Sequence, residues 1–241
     1  MNQKTDRALF GWLLLASFLG VLAGVPWTLA VLRGYPRTPW WLEGAVDVVL
    51  LTLASAAGTW LGKRVNLGSG LRDLVSGTPG CWKRLRSALV PGILVGLALG
   101  VSQLATRGLV PKDALIPELN NPNAWETALR CLSAALTEEI AFRFGLMTFF
   151  VWSIRLVATS VAAHRPSLWI GNLLSALVFA AAHFPQLQLA RHGLSLLVPF
   201  VVSSTSVGMI MGWLFMRYGL VSAVAAHLVV DLVANLLPRL T

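Results

Sequence analysis

The sequence predicts an all-α protein, a polytopic membrane helix bundle of seven to eight spans with a polar site buried inside it. Three observations lead there. The 241-residue chain is 56% hydrophobic and only 12% charged, with mean hydropathy +0.71. A soluble domain carries about 25% charged residues. The stretches 8–32, 88–106, 167–190, 194–216 and 220–230 hold no acidic or basic residue. About 20 apolar residues cross a ~30 Å hydrocarbon core, so most of these can span it. Lipid offers no partner to an unpaired backbone group, so the spans must be helices. Finally, Glu138, Glu139, Arg143, His183, His227 and Asp231 stand in otherwise apolar surroundings on the expected spans. Ionisable groups at membrane depth are costly and mark functional sites.

Taken in order, spans are expected near 8–32, 42–62, 88–106, 125–151, 167–184, 194–216 and 219–238. The first follows Lys4 and Arg7, as a signal peptide would. At 25 residues, and without a clear small-x-small cleavage site, it reads as a retained span. Breaks fall at Arg33–Pro39, in the glycine-rich basic loop 63–87, at Pro111–Asn123, at His164–Pro166 and at Pro185–Gly193. Residues 152–163 fit either an interfacial helix or, with 144–151, an eighth span. Only Arg217, Tyr218 and Gly219 separate the last two spans, which implies a tight antiparallel pair. Gly208 and Gly212 lie one turn apart and let two helix backbones approach closely. There is no internal repeat and no low-complexity tract. The chain reads as one membrane domain, 1–241.

The net charge of +9 follows membrane topology. Lys63, Arg64, Arg72, Lys83, Arg84 and Arg86 cluster in one connection, as positive-inside loops do near anionic lipid heads. Seven spans with a cytoplasmic N-terminus put eleven basic residues on the inner side and six on the outer. The composition therefore excludes nucleic acid as a partner and points to membrane lipids. The expected location is a bacterial cytoplasmic membrane. Cys81 in the basic loop and Cys131 in a span form no disulfide framework. Many of the ten tryptophans, among them Trp12, Trp27, Trp40, Trp41 and Trp169, fall near span ends and read as an interfacial belt. The sequence leaves the oligomeric state open.

Three polar islands carry the chemistry. In Thr137-Glu138-Glu139-Ile140-Ala141-Phe142-Arg143, helical spacing puts Glu139 and Arg143 on one face as an ion pair. Glu138 is rotated about 100° from Glu139. It is left to face an internal cavity, where a desolvated carboxylate suits a general base working near neutrality. Two acids against one base also leave one charge unpaired. In the second island Phe179 lies one turn before His183 and can restrict its ring. In the third, His227, Asp231 and Asn235 share one stripe. A histidine with an aspartate one turn on suits orientation of an imidazole or metal binding.

Glu-Glu-x-x-x-Arg, Phe-x-x-x-His and His-x-x-x-Asp, in that order on three membrane helices, resemble the CAAX protease and bacteriocin-processing family of intramembrane proteases. The resemblance covers 125–238, the motif-bearing core, while 1–124 carries no recognised motif. It implies a glutamate-dependent, metal-independent endopeptidase with a core of about eight helices. Glu138 would activate a water that His183 helps position. Glu139 and Arg143 would be the structural pair. His227 and residue 231 would stabilise the oxyanion. The implied substrate is a peptide or a lipidated peptide, and no cofactor is implied.

Position 231 is often Asn in that family and is Asp here. An amide donates to an oxyanion, whereas an ionised carboxylate repels one. Asp231 serves there only when neutral, or by holding a protonated His227 as the donor, or Asn235 takes the part. Glu138, His183, His227 and Asp231 also make an acceptable zinc ligand set, although without the His-Glu-x-x-His spacing of a helix-borne site. A non-catalytic immunity or scaffold protein and a proton-coupled transporter are further readings. The transporter lacks repeated halves.

Overall fold

The computed structural model describes residues 3–31, 39–109, 111, 113–114, 119, 122–158, 160–187 and 192–240, without the side chains of Trp40 and Val161. Its helices are α1 (Gln3–Val31), α2 (Trp40–Val65), α3 (Ser69–Val75), α4 (Cys81–Thr106) and α5 (Ala124–Glu138). After α5 a π-helical segment, Glu139–Met147, runs straight into α6 (Thr148–Val157). Then come α7 (His164–Ala182), α8 (Leu194–Tyr218) and α9 (Leu220–Asp231), which continues into a second π-helical segment, Leu232–Leu236. Among the described residues, seven continuous helices are long and apolar enough to span a membrane. The chain is a multi-pass integral membrane protein.

The expected spans appear in order, with three differences. First, the fourth span is one helix from Ala124 to Val157. Residues 144–157 extend it, and no eighth span forms there, because nothing between Phe144 and Val157 interrupts backbone hydrogen bonding. Second, most of the basic loop 63–87 is helical. Charges mark where lipid ends, but a helix can continue into water, so α2 runs to Val65 and α4 begins at Cys81. Third, two of the loop's cations are used inside the protein. Buried Asp6 of α1 pairs with Lys63 at 2.9 Å and with Arg72 at 3.5 Å. Arg72 also donates to the carbonyl of Leu67 at 3.2 Å and to that of Thr59. The break at 33–38, together with Lys112 and Arg191, lies outside the described residues.

Glycine-lined seams set the helix positions. Gly20 and Gly24 of α1 abut Thr137 and Ser133 of α5. Gly92, Gly96 and Gly100 of α4 lie against Ser222, Ala226 and Val233 on the α9 helix and its extension. Gly208 and Gly212 of α8 face Ala176 and Asn172 of α7, as the sequence suggested. Each of the three helices that carries a polar island is thus met by a helix that can come very close. Lipid gives apolar side chains no reason to leave it, so such close packing carries much of the association. Gly219, at φ 90°, makes the sharp reversal between α8 and α9, in backbone space that favours glycine.

Arginines close the ends of the bundle. Arg155 donates to Ser167 Oγ at 2.9 Å and to the carbonyls of Val65 and His164, each at 3.1 Å. It joins the ends of α2, α6 and α7. At the opposite end Arg239 donates to the carbonyls of Pro122 at 2.6 Å and Leu119 at 2.9 Å. A Cβ on Gly96 would stand 2.6 Å from the carbonyl oxygen of Ala226, while one on Gly11 meets nothing within 4 Å. Gly96→Val is therefore expected to lower stability by about 1–3 kcal/mol through overpacking. Gly11→Ala should melt as wild type does. Thermal unfolding in detergent reads both.

Candidate active site

The site begins with the start of the fourth span. Asn123 caps α5 in a reciprocal box: its side chain accepts from Glu126 N at 3.1 Å, and Glu126 Oε2 accepts from Asn123 N at 2.8 Å. The helix turns π-helical at Glu139. Such widened turns are rare and collect at functional sites. The hydroxyl of Ser175 on α7 donates to the carbonyl of Phe142 in this segment.

Glu138 and Glu139 diverge, as helical geometry requires, yet both reach the ring of His227. Glu139 Oε1 accepts from His227 Nδ1 at 2.8 Å. Glu139 Oε2 pairs with Arg143 Nε at 3.3 Å, and both side chains are essentially inaccessible. The Arg143 guanidinium also lies over the Phe179 ring, 4.7 Å from its centre. That face is the electron-rich one and attracts a cation.

The sequence left Glu138 unpaired, but the structure gives it a partner. Its Oε1 accepts from Arg130 Nη2 at 2.9 Å. Arg130 in turn lies over the ring of Trp27 on α1, 5.4 Å from its centre. Trp27, expected in an interfacial belt, carries this arginine. Glu138 Oε2 lies 3.8 Å from Nε2 of His183 and 3.8 Å from Nε2 of His227. His183 Nδ1 donates to the carbonyl of Phe179 at 2.8 Å. A carbonyl can only accept, so Nδ1 carries the hydrogen and Nε2 is left for the site. On the third helix Asp231 Oδ2 is 3.7 Å from His227 Nε2, and Asp231 Oδ1 accepts from Asn235 Nδ2 at 3.1 Å.

Phe179 is the hub of this arrangement. Its ring lies 4.7 Å from that of His183, 5.3 Å edge-on from Phe142 and 6.4 Å edge-on from His227. Three carboxylates and two guanidiniums meet here, so the cluster is electrically balanced when it holds one further proton. The structure brings together every residue singled out in the sequence: Glu138, Glu139, Arg143, Phe179, His183, His227, Asp231 and Asn235. Arg130 and Trp27 were missed. A signal for Arg130 existed, since two acids against one arginine called for another cation and Arg130 stands inside the same span. Nothing in the sequence marks Trp27, because its contact joins two helices.

Among the described residues, no group of three or more His, Cys, Asp or Glu side chains is arranged to hold a metal ion. The set considered for zinc, Glu138, His183, His227 and Asp231, is spaced at 3.7–3.8 Å between neighbouring ligand atoms.

Helices, seams and polar cluster together define a polytopic α-helical membrane protein with a carboxylate–histidine site inside the bundle. Residues 120–233 match the family model described as type II CAAX prenyl endopeptidase Rce1-like. This segment is thus similar to the Rce1-like domains of CAAX-protease-like membrane endopeptidases. The match includes Arg130, all three islands and Asp231, and stops short of Asn235. No curated protein and no solved structure matches the chain.

Removing one member of a buried pair leaves the other charged and unpaired, at a cost of about 3–5 kcal/mol. Arg143→Ala is thus expected to lower both the melting temperature and the yield of folded protein. A variant as stable as wild type would contradict the structural role of the Glu139–Arg143 pair.

Proposed function

We propose that the protein is a metal-independent intramembrane endopeptidase in which Glu138 activates the attacking water. One observation carries this reading. Glu138 Oε2 stands 3.8 Å from the Nε2 atoms of both His183 and His227. That is too long for direct hydrogen bonds, which reach about 3.2 Å. It suits one small oxygen shared among the three groups.

In this reading Glu138 Oε2 takes a proton from that water as the oxygen attacks the scissile carbonyl carbon. The C–O bond forms and the carbonyl π electrons move to oxygen. Protonated His227 donates from Nε2 to the oxyanion, in the geometry that such stabilisation needs. The C–N bond then breaks, and the proton held by Glu138 passes to the leaving amine. His183 positions the water. Asp231 does not meet the oxyanion as an ionised group. It holds His227 in the donating form, and Asn235 holds Asp231. Arg130 clamps Oε1, so that Oε2 alone acts as the base, and Trp27 holds Arg130.

The substrate class is a peptide, lipidated or plain, reached from within or beside the lipid. A bacterial cytoplasmic membrane with the N-terminus inside fits the placement of basic residues.

The test is cleavage of fluorogenic peptides, farnesylated at a CAAX cysteine or unmodified, by purified protein in detergent. Glu138→Gln is expected to lower turnover at least ~100-fold, the usual scale of general-base catalysis, while melting close to wild type. A chelator should leave the rate unchanged. Loss of activity with chelator and recovery with zinc would replace the glutamate mechanism by a metal one. A cellular phenotype that survives Glu138→Gln would favour the scaffold reading.

Arg130→Ala should lower kcat by about 100-fold at similar KM, the usual scale of misplacement in a catalytic site. Added guanidinium ion should partly restore it. Arg130→Ala with wild-type kcat would remove Arg130 from the machinery.

A further inference from the structure

We propose that the site opens on the membrane face opposite the basic end of the bundle. Its substrate would then be a peptide segment exposed on the extracytoplasmic side. Three observations bear on this, and the catalytic part rests on the protease reading above.

The first is depth. Arg155, bonded to Val65 and His164, marks the level at which α2, α6 and α7 meet at one end. Seventeen residues separate Glu138 from Arg155, and nineteen separate His183 from His164. At 1.5 Å per residue each interval is about 25–29 Å of helix. A third ruler agrees: Gly96, fifteen residues above Cys81 at the start of α4, lies against Ala226, the neighbour of His227. The polar cluster therefore sits far from this end, against a hydrocarbon core of ~30 Å.

The second is access. Among the charged side chains of the fourth span at the cluster, Arg130 is 28% exposed, Glu138 14% and Arg143 1%. Beneath the cluster Phe144, Met147, Val151, Met211, Leu214 and Phe215 are sealed and form an apolar floor. On the other side His183 and Asp231 are partly open, at 23% and 19%, and Asn235 is exposed. The route to Glu138 leads away from the Arg155 end.

The third is charge. The Arg155 end and its connections carry Lys4, Arg7, Arg155, Arg165, Arg217 and the six basic residues of 63–87, eleven in all, against six for the opposite connections. Basic residues flanking spans stay on the cytoplasmic side. The closed, basic end is then cytoplasmic, and the open site faces outward. A peptide that has crossed the membrane, or whose scissile bond lies in the outer leaflet, can reach Glu138. A cytosolic chain tail cannot reach it without passing the apolar floor.

The experiment reads orientation without activity. Full-length protein with Cys81 and Cys131 replaced by Ala would carry a single cysteine at His183→Cys, at Asn235→Cys or, as control, at Lys83→Cys on the basic end. Intact cells and inverted membrane vesicles would be treated with a membrane-impermeant maleimide. His183→Cys and Asn235→Cys are expected to label in intact cells, and Lys83→Cys only in inverted vesicles. The reverse pattern, or labelling of the two site positions from neither face, would overturn the proposal.

In parallel, a quenched peptide would be offered to protein with native cysteines, outside intact cells or outside inverted vesicles. Glu138→Gln serves as the blank. Cleavage confined to intact cells supports the proposal, and cleavage confined to inverted vesicles refutes it. Outward labelling with no Glu138-dependent cleavage on either side would leave the orientation standing and count against the protease reading alone.

Discussion

A carboxylate buried inside a membrane bundle has no water to lean on, so the protein must supply its partners. Glu139 is where that constraint bites hardest. It is fully buried, accepts from His227 Nδ1 on one oxygen and faces Arg143 on the other. The first contact joins the fourth span to the last, and Arg143, on the fourth span itself, reaches Phe179 on the fifth. Burying an ion is expensive, and the attraction between partners offsets that cost only when geometry is kept. Much of the packing can be understood as what keeps it.

The glycine seams follow from this need. A cluster whose polar atoms must meet within about 4 Å tolerates little play between helices. The helices bearing the first, second and third islands are each approached by a helix offering glycine: α1, α8 and α4 respectively. The π-helical segments fit the same logic. One begins at Glu139 and the other directly after Asp231. A wider turn lets neighbouring side chains project at angles that a regular α-helix does not offer, and Ser175 satisfies one of the carbonyls involved.

The N-terminal helices lie outside the Rce1-like segment but are not passive. Trp27 supports Arg130, which holds one oxygen of Glu138. At the far end Asp6 gathers Lys63 and Arg72, fixing α1 against α2 and α3. Helix α1 thus touches both the anchored end and the polar site. Changes far from the motifs can reach Glu138 through it.

Sequence alone was enough for the fold class, for the order of the spans though not for seven against eight, and for the three polar islands. These depend on local quantities: hydropathy over about 20 residues, and the one-turn spacing that places Glu139 with Arg143 or His227 with Asp231 on a shared face. It was not enough for the fate of Glu138, which seemed free because its partner lies two turns away and is held from another helix. It also did not show that Glu139 joins His227, that Lys63 and Arg72 turn inward to Asp6, or that 144–157 prolongs the fourth span. Each of those outcomes turns on which helix stands beside which, or on whether a helix simply continues past the lipid. Neither is written in any one segment, and only the packed bundle decides them.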